Sequence, residues 1–285
     1  MFKALAKWSM DKPLNAIIAI VATMFIPLLF WLGAALMALS ILRHGAKEAA
    51  NVVLWGSLPA FAWLAMGVYI PISVVLGTSI LAIILRTFVD LRLALLCASA
   101  AGVLVYFGLM SIMPEFLVIN ITEVELIFAE LFKSDPETWQ KMQPHFTSSI
   151  VGALSAGLVL IITLCLLLAR WWQSLLYNPG GYREEFLSLK LPTVFSGSVV
   201  LMVVLGSNLP PLIAGLLSII TIPLIIAAAA LAHSIVERKN LDKNWLVAFY
   251  TSVILLGNFL SPLLIFIVFL DGILDFKKRL KDTVD

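Results

Sequence analysis

Residues 191–236 carry no Asp, Glu, Lys or Arg and read LPTVFSGSVVLMVVLGSNLPPLIAGLLSIITIPLIIAAAALAHSIV. A helix needs about 20 apolar residues, each rising about 1.5 Å, to cross a hydrocarbon core about 30 Å thick. The stretch is long enough for two such helices, and Ser207-Asn208-Leu209-Pro210-Pro211 has the composition of a turn between them. We therefore predict two membrane-spanning helices in this part of the chain.

Five other stretches also lack charged residues, and they organise the remainder of the chain: 13–42, 49–85, 93–114, 142–169 and 244–270. Two of them, 93–114 and 142–169, have the length of a single span. The 49–85 stretch fits two short helices broken near Gly67–Pro71. The charge-free stretches thus predict a protein built mainly from membrane helices.

The overall composition agrees with this prediction. The chain has 285 residues, of which 61% are hydrophobic and 13% are charged, whereas soluble domains contain about 25% charged residues. This balance excludes an ordinary soluble protein, a disordered chain and a nucleic-acid binder with a basic face. The bilayer is therefore the first expected partner, and no nucleic acid is expected.

The two terminal stretches have ambiguous lengths. Residues 14–42 would form one helix about 43 Å long, or two short helices broken at Pro27. Residues 245–276 pose the same choice, with Gly257-Asn258 and Ser261-Pro262 as the break. Length alone leaves both alternatives open.

The distribution of basic residues favours the hairpin alternative. Of 19 Lys and Arg residues, 17 fall into six clusters, which are 3–12, 43–47, 86–92, 170–190, 238–243 and 277–281. Short cytoplasmic loops are rich in Lys and Arg, so all six clusters are expected on the cytoplasmic side. This is possible only if the chain crosses the membrane an even number of times between each cluster and the next. The predicted fold is therefore an all-α, polytopic transmembrane helix bundle of about 8–10 membrane segments. Some segments are short, broken or re-entrant, and both termini are cytoplasmic.

Two segments are expected to lie along the membrane surface of this single integral membrane domain, 1–285. An acidic amphipathic insertion, 115–147, is predicted on the external side, where Asp135-Pro136 has the pattern of the start of another short helix. An interfacial segment, 170–192, is predicted on the cytoplasmic side because it combines tryptophans with charged residues.

The sequence offers little catalytic chemistry, so we predict that the protein is not an enzyme. No charged residue lies in the middle of a confident span, and the chain lacks a phosphate-binding loop and a His-Glu-x-x-His motif. Cys97 and Cys165 have no neighbours at metal-ligand spacing, so no metal site and no cofactor is predicted. The Glu184-Glu185 pair leaves an intramembrane enzyme open only if both carboxylates face a cavity.

The remaining polar groups suit binding or packing. Asn208 and Asn258 lie at helix breaks, where backbone groups can coordinate a ligand, and His233 lies near a helix end; these three are the predicted ligand-binding residues. The alternative is that the asparagines only form turns and that the histidine is solvated. A second set forms a predicted interfacial or partner platform, with a simple membrane anchor as the alternative: Trp171, Trp172, Arg183, Glu184 and Glu185.

Small residues at every fourth position predict close helix packing. Ala94, Ala98 and Gly102 form one such series, and the pairs Gly152/Ala156 and Ala153/Gly157 form another. Packing inside the bundle and contact with a partner are both open at this point.

The segment 171–186, WWQSLLYNPGGYREEF, resembles the bacterial integral membrane family typified by YybS. Residues 42–45 (LRHG), 84–86 (ILR) and 272–279 (GILDFKKR) are similar in character. The resemblance implies no activity and no catalytic residues. It implies a distant relationship to the substrate-binding membrane subunits of energy-coupling-factor transporters, which is an analogy of fold only.

These observations predict a multi-pass protein of the bacterial inner membrane that binds or passes a small-molecule or lipidic ligand. It would be transporter-like but without its own ATPase, so a protein partner in the membrane or the cytosol, or an ion gradient, would supply energy. The alternative is a structural or assembly protein that recruits partner proteins.

Overall fold

A computed structural model describes residues 2–112 and 114–279 of the chain, with only the backbone described at residues 2, 112, 114–120, 207, 258, 278 and 279. Over these residues every regular element is a helix, which confirms the all-α prediction. The helices are α1 Phe2–Asp11, α2 Pro13–Phe25, α3 Phe30–His44, α4 Ala46–Gly56, α5 Leu58–Ala65, α6 Ile70–Phe88, α7 Leu91–Ile112, α8 Pro114–Leu131, α9 Pro136–Tyr177, α10 Gly181–Leu187, α11 Thr193–Leu205, α12 Pro211–Ala214, α13 Leu217–Ile220, α14 Ile222–Arg238, α15 Asn244–Leu274 and α16 Phe276–Arg279.

Four helical segments in the described residues are long and apolar enough to cross a membrane. They are Ile70–Phe88, Leu91–Ser111, Pro136–Tyr177 and Pro211–Arg238, the last of which combines α12, α13 and α14. Shorter apolar helices account for the other charge-free stretches. Length and composition therefore describe a membrane protein.

The chain divides into two compact units, Met1–Ala98 with Leu158–Phe186 and Ser99–Gly157 with Leu187–Asp285. We call them unit 1 and unit 2. Helices α7 and α9 contribute residues to both.

In unit 1, the N-terminal stretch 14–42 is a helical hairpin. Helix α2 ends at Phe25, α3 begins at Phe30, and the two helices pack against each other. A Cβ on Gly33, near the start of α3, would lie 3.1 Å from the Ile20 carbonyl oxygen in the second half of α2. The chain therefore reverses at residues 26–29, and the stretch forms two short helices and not one long helix; that it crosses the membrane twice stays a prediction.

The 49–85 stretch of unit 1 breaks where the sequence predicts. Helix α5 ends at Ala65 and α6 begins at Ile70, and Gly67 between them has a φ of +81°, which a residue without Cβ adopts at little cost. The first of the two predicted helices is itself divided at Ser57, two residues before Pro59. The indole Nε1 of Trp63 donates to the Met24 carbonyl at 2.9 Å, which holds α5 against the end of α2.

In unit 2, the stretch that decides the fold contains two helical segments, as predicted. Helix α11 ends at Leu205, and a short 3₁₀ turn, Gly206–Asn208, leads to the segment Pro211–Arg238. Gly206, the residue that follows α11, has a φ of +45°. Glycine is favoured at the end of a helix when the residue there has a positive φ.

The C-terminal stretch 245–276 folds back without the loop of a hairpin. Leu256 is the one described residue within α15 that departs from helical dihedral angles, with φ −121° and ψ 19°. Tyr250, before this kink, contacts His233 near the end of α14, and Leu264, after it, lines the same cavity as Ile222 near the start of α14. Farther on, Val268 and Asp271 approach Ala227. Helix α15 therefore runs down α14 to the kink and then returns along it.

The acidic segment differs in length from the prediction. Asp135 caps α9 as expected, because its carboxylate accepts hydrogen bonds from the backbone N–H of Thr138 at 3.2 Å and from its hydroxyl at 2.7 Å. The predicted short helix is wrong, however, since α9 continues through Pro144 to Tyr177. Pro144 lacks one N–H donor, but the apolar run that follows keeps the helix intact.

Candidate functional site

An open apolar cavity of about 450 Å³ lies in unit 2 beside the kink of α15. Val203 of α11, Ile222 and Ile225 of α14, and Val253 and Leu264 from either side of the kink supply much of its lining. This volume is within the range of about 300–1,000 Å³ that small-molecule sites occupy. The cavity is the strongest ligand-site candidate in unit 2.

A few polar groups border this cavity. Ser218, Thr221 and Ser261 contribute hydroxyl groups, and the Thr221 hydroxyl donates to the Ser218 carbonyl at 3.0 Å. Pro262 has no N–H to offer the carbonyl four residues earlier, so the second half of α15 begins with incomplete backbone hydrogen bonding. An apolar wall with a small number of polar groups is typical of a site for a largely apolar ligand.

The predicted ligand-binding residues have different positions. Asn208 is exposed in the turn after α11, five residues beyond the cavity-lining Val203, and does not line the cavity. Asn258 directly follows the lining residue Gly257, but its side chain lies outside the described residues. His233 is half-buried, and its Nε2 lies 2.9 Å from the Tyr250 hydroxyl, away from the cavity lining.

The predicted platform is divided between surface and interior. Trp171 is 40% exposed, and Arg183 and Glu184 are exposed. Trp172 is completely buried, unlike its neighbour; the side chains of adjacent helical residues point about 100° apart, and this one faces the interior. Glu185 is half-buried and pairs with Arg170 at 2.8 Å. The two neighbouring glutamates thus have different surroundings.

A second cavity, of about 330 Å³, lies in unit 1 where the ends of α3 and α6 approach α9 and α10. Arg86, Arg170, Gln173 and Glu185 provide its polar lining. The sequence reasoning missed this site because its residues belong to different clusters along the chain, and no local pattern joins them.

Charged residues also meet at one end of unit 2. Lys190 pairs with Asp275, and the Lys277 ammonium donates to the Leu189 carbonyl at 2.6 Å. Lys277 is only 4% exposed, and this burial lowers its pKa to about 8. Asp271 is equally buried, and within the described residues its Oδ1 has no hydrogen-bond partner.

In the part of the chain that the structure describes, no three His, Cys, Asp or Glu side chains group as metal ligands would. The chain matches no protein-family model, no curated protein and no solved structure. Fold and composition therefore define its class, an all-helical protein with four helical segments able to span a membrane.

Proposed function

We propose that the protein is a multi-pass protein of the bacterial inner membrane that binds or passes a small-molecule or lipidic ligand. The observation that carries the proposal is the apolar cavity of about 450 Å³ at the kink of α15. Broken helices at membrane depth expose backbone groups to a ligand, and they are tolerated where they line a cavity. The ligand that suits this site is mostly apolar, with a group that can hydrogen-bond to hydroxyls.

The proposed protein has no ATPase of its own. A phosphate-binding loop is missing from the sequence, so active transport would take its energy from a protein partner or from an ion gradient. The resemblance to YybS-type proteins, with its distant link to transporter subunits, favours the same function by analogy.

The proposed topology has about 8–10 membrane segments, some of them short, broken or re-entrant, and two cytoplasmic termini. Contacts within each unit support it. In unit 1 Arg86 and Gln173 both donate to the Leu42 carbonyl, so the clusters 86–92 and 170–190 meet the residue that precedes the cluster 43–47. In unit 2 Lys190, at the end of the cluster 170–190, pairs with Asp275, two residues before the cluster 277–281. Such grouping is expected of loops on one side of a membrane.

The ligand proposal can be tested by filling the cavity. Val203 lines it, whereas its neighbour Val204 is 75% exposed on the outside of α11. V203F and V204F therefore make the same change in size at neighbouring positions of one helix, about 100° apart around its axis, of which only the first lines the cavity. Native mass spectrometry of protein purified in mild detergent measures the bound ligand. We expect a retained small-molecule or lipid adduct in wild type and V204F and its loss in V203F.

Two outcomes would contradict this proposal. One is a wild-type protein that carries no adduct and shows no thermal shift with a metabolite and lipid panel. The other is an adduct retained equally by V203F and V204F, which would place the ligand elsewhere.

The alternative function, a structural or assembly protein, is favoured by one surface feature. Trp171 is 40% exposed beside the charged segment, and the rings of Tyr182 and Phe186 stack at 5.6 Å nearby in sequence. Exposed aromatics mark interfaces with membranes or proteins. Photo-cross-linking from position 171 in cells distinguishes the two: cross-links to one defined protein support the alternative, and cross-links to lipid alone contradict it.

A further inference from the structure

The cavity in unit 1 contains an arginine with no acidic partner. The Nη1 of Arg86 donates to the Leu42 carbonyl near the end of α3. Within the described residues no carboxylate pairs with Arg86, and its Nε and Nη2 make no hydrogen bond. A cation that lines a cavity in this way is available to an anionic ligand.

Gly45 provides the space in which this guanidinium lies. A Cβ at position 45 would lie 3.2 Å from Nε and 3.4 Å from Nη2 of Arg86, and the φ of Gly45 is +94°. A side chain here would be strained and would crowd the arginine. The absence of a side chain at position 45 therefore lets the guanidinium lie against the loop between α3 and α4, with Nε and Nη2, the nitrogens that make no hydrogen bond among the described residues, on the side of Gly45.

Arg170 completes the cationic side of the cavity. Its Nε pairs with Glu185 at 2.8 Å, and its Nη1 donates to the Gln173 side-chain oxygen at 2.8 Å. Gln173 in turn donates to the Leu42 carbonyl at 3.0 Å, so both arginines are tied to the same backbone oxygen. Two guanidinium groups face one carboxylate, which leaves the lining with a net charge of +1.

We propose that this cavity binds a phosphate-bearing anion, held by Arg86 and Arg170. Guanidinium groups match phosphate oxygens in geometry and charge, and a phosphodiester carries the single negative charge that would neutralise the lining. The cavity volume of about 330 Å³ accommodates a head group of this kind. Both an anionic phospholipid and free phosphate offer this chemistry.

The position of the cavity agrees with a phosphate at the membrane surface. It lies where the loops after α3 and α6 meet the end of α9, close to the partly exposed Trp171. Basic pockets at the ends of membrane helices bind lipid head groups. The inference concerns unit 1 and does not depend on the apolar cavity of unit 2.

Thermal unfolding of the detergent-solubilised chain, titrated with two probes, tests the proposal. The probes are dihexanoyl phosphatidylglycerol, compared with the zwitterionic phosphatidylcholine of equal chain length, and inorganic phosphate, compared with chloride at equal ionic strength. We expect R86Q to weaken binding about tenfold or more through the loss of a charge-assisted contact. K47Q is the matched control, because Lys47, two residues after Gly45, is exposed and does not line the cavity.

A second variant makes a prediction of opposite sign. E185Q removes the one carboxylate of the lining and raises its net charge to +2, so we expect tighter binding that weakens as salt is added. This keeps the test decisive if R86Q fails to fold. A shift with phosphatidylglycerol alone assigns a lipid head group, and a shift with inorganic phosphate assigns a free anion.

Three results would overturn the proposal: no shift in the wild type with either probe beyond its control, equal affinity in R86Q and K47Q, or unchanged or weaker binding in E185Q.

Discussion

At the scale of single residues, one glycine contact determines how closely two helical segments of unit 2 approach. A Cβ on Gly152 of α9 would overlap the Gly215 carbonyl oxygen, and the Gly215 position is itself enclosed by Ser148 and Tyr106. Tyr106 donates to the Leu212 carbonyl at 2.9 Å beside this contact. The small-residue series in the sequence thus serves packing inside unit 2 at Gly152, whereas Gly157 has nothing within 4 Å.

We expect G152A to destabilise the protein by about 1–3 kcal/mol, because an extra methyl group in a closely packed site forces the backbone apart. G157A is the matched control on the same helix, and we expect it to be neutral or stabilising by up to about 1 kcal/mol, since alanine favours the helix. Thermal unfolding in detergent measures both. Equal effects of the two substitutions would contradict the close approach.

Lys277 gives unit 2 a pH-dependent stability. Its pKa is lowered to about 8 by burial, whereas an unfolded lysine titrates near 10.4. Between these values the unfolded chain holds more protons than the folded one, so stability rises with pH from about 8 to about 10. We expect the stability of wild type relative to K277M to increase over this window.

Thermal unfolding of both proteins in detergent at pH 7.5, 8.5 and 9.5 provides the measurement. The exposed Lys239 supplies the control, because K239M also removes an ammonium group but not a buried one. A wild-type advantage over K277M that stays constant or falls as the pH rises would contradict the assignment.

At the scale of elements, the kink of α15 reverses the chain with one non-helical residue. The two parts, Asn244–Gly257 and Phe259–Leu274, are too short to cross a bilayer comfortably, since 14 residues span about 21 Å. Their return along α14 instead buries apolar surface within unit 2, and Gly257, Ser261 and Pro262 near the kink line the cavity.

We expect both ends of α15 to lie on the same side of the membrane. In a chain whose Cys97 and Cys165 are replaced by alanine, single cysteines at Leu241 and Leu274, which are 40% and 37% exposed, should react with an impermeant maleimide from the same side. A cysteine at Leu131, which is 68% exposed in the acidic segment, should react from the other side. Labelling of positions 241 and 274 from opposite sides would contradict the reversal.

At the scale of the whole molecule, basic residues and acidic residues are segregated along the chain. Six clusters hold 17 of the 19 basic residues, while the segment 115–141 holds six acidic ones. Basic loops are retained in the cytoplasm during insertion, so the distribution predicts one orientation for the whole protein.

Fusion reporters measure this orientation directly. We expect cytoplasmic signals after His44 and after Asn240, and a periplasmic signal after Ser134 in the acidic segment. The His44 fusion is the decisive one. A periplasmic signal there would mean that residues 14–42 cross the membrane an odd number of times, which would contradict the proposed topology.

The helices were the predictable part of the structure. Charge-free length and turn-forming residues located the breaks near Gly67 and near Gly206, because helix formation and membrane insertion depend on residues close together in the chain. The predicted short helix after Asp135 differs from the observed α9, because the apolar sequence after Pro144 continues the helix to Tyr177.

The candidate sites were less predictable. The predicted break at Gly257-Asn258 and Ser261-Pro262 lies next to the observed kink at Leu256, but the lining of the cavity beside it comes from α11, α13, α14 and both parts of α15. Trp171 is 40% exposed and Trp172 is completely buried, because neighbouring helical residues face different directions and sequence composition alone does not give the rotation of a helix.

By itself, the sequence determined an all-helical membrane protein with its charges gathered in loops, since hydropathy and charge act over a single helix length. Only the tertiary structure decided that α15 returns along α14, that Gly152 meets Gly215, and that Arg86 and Arg170 share one cavity. The physical reason is that these features arise from contacts between residues distant in the chain, whose side chains meet only after the helices have packed.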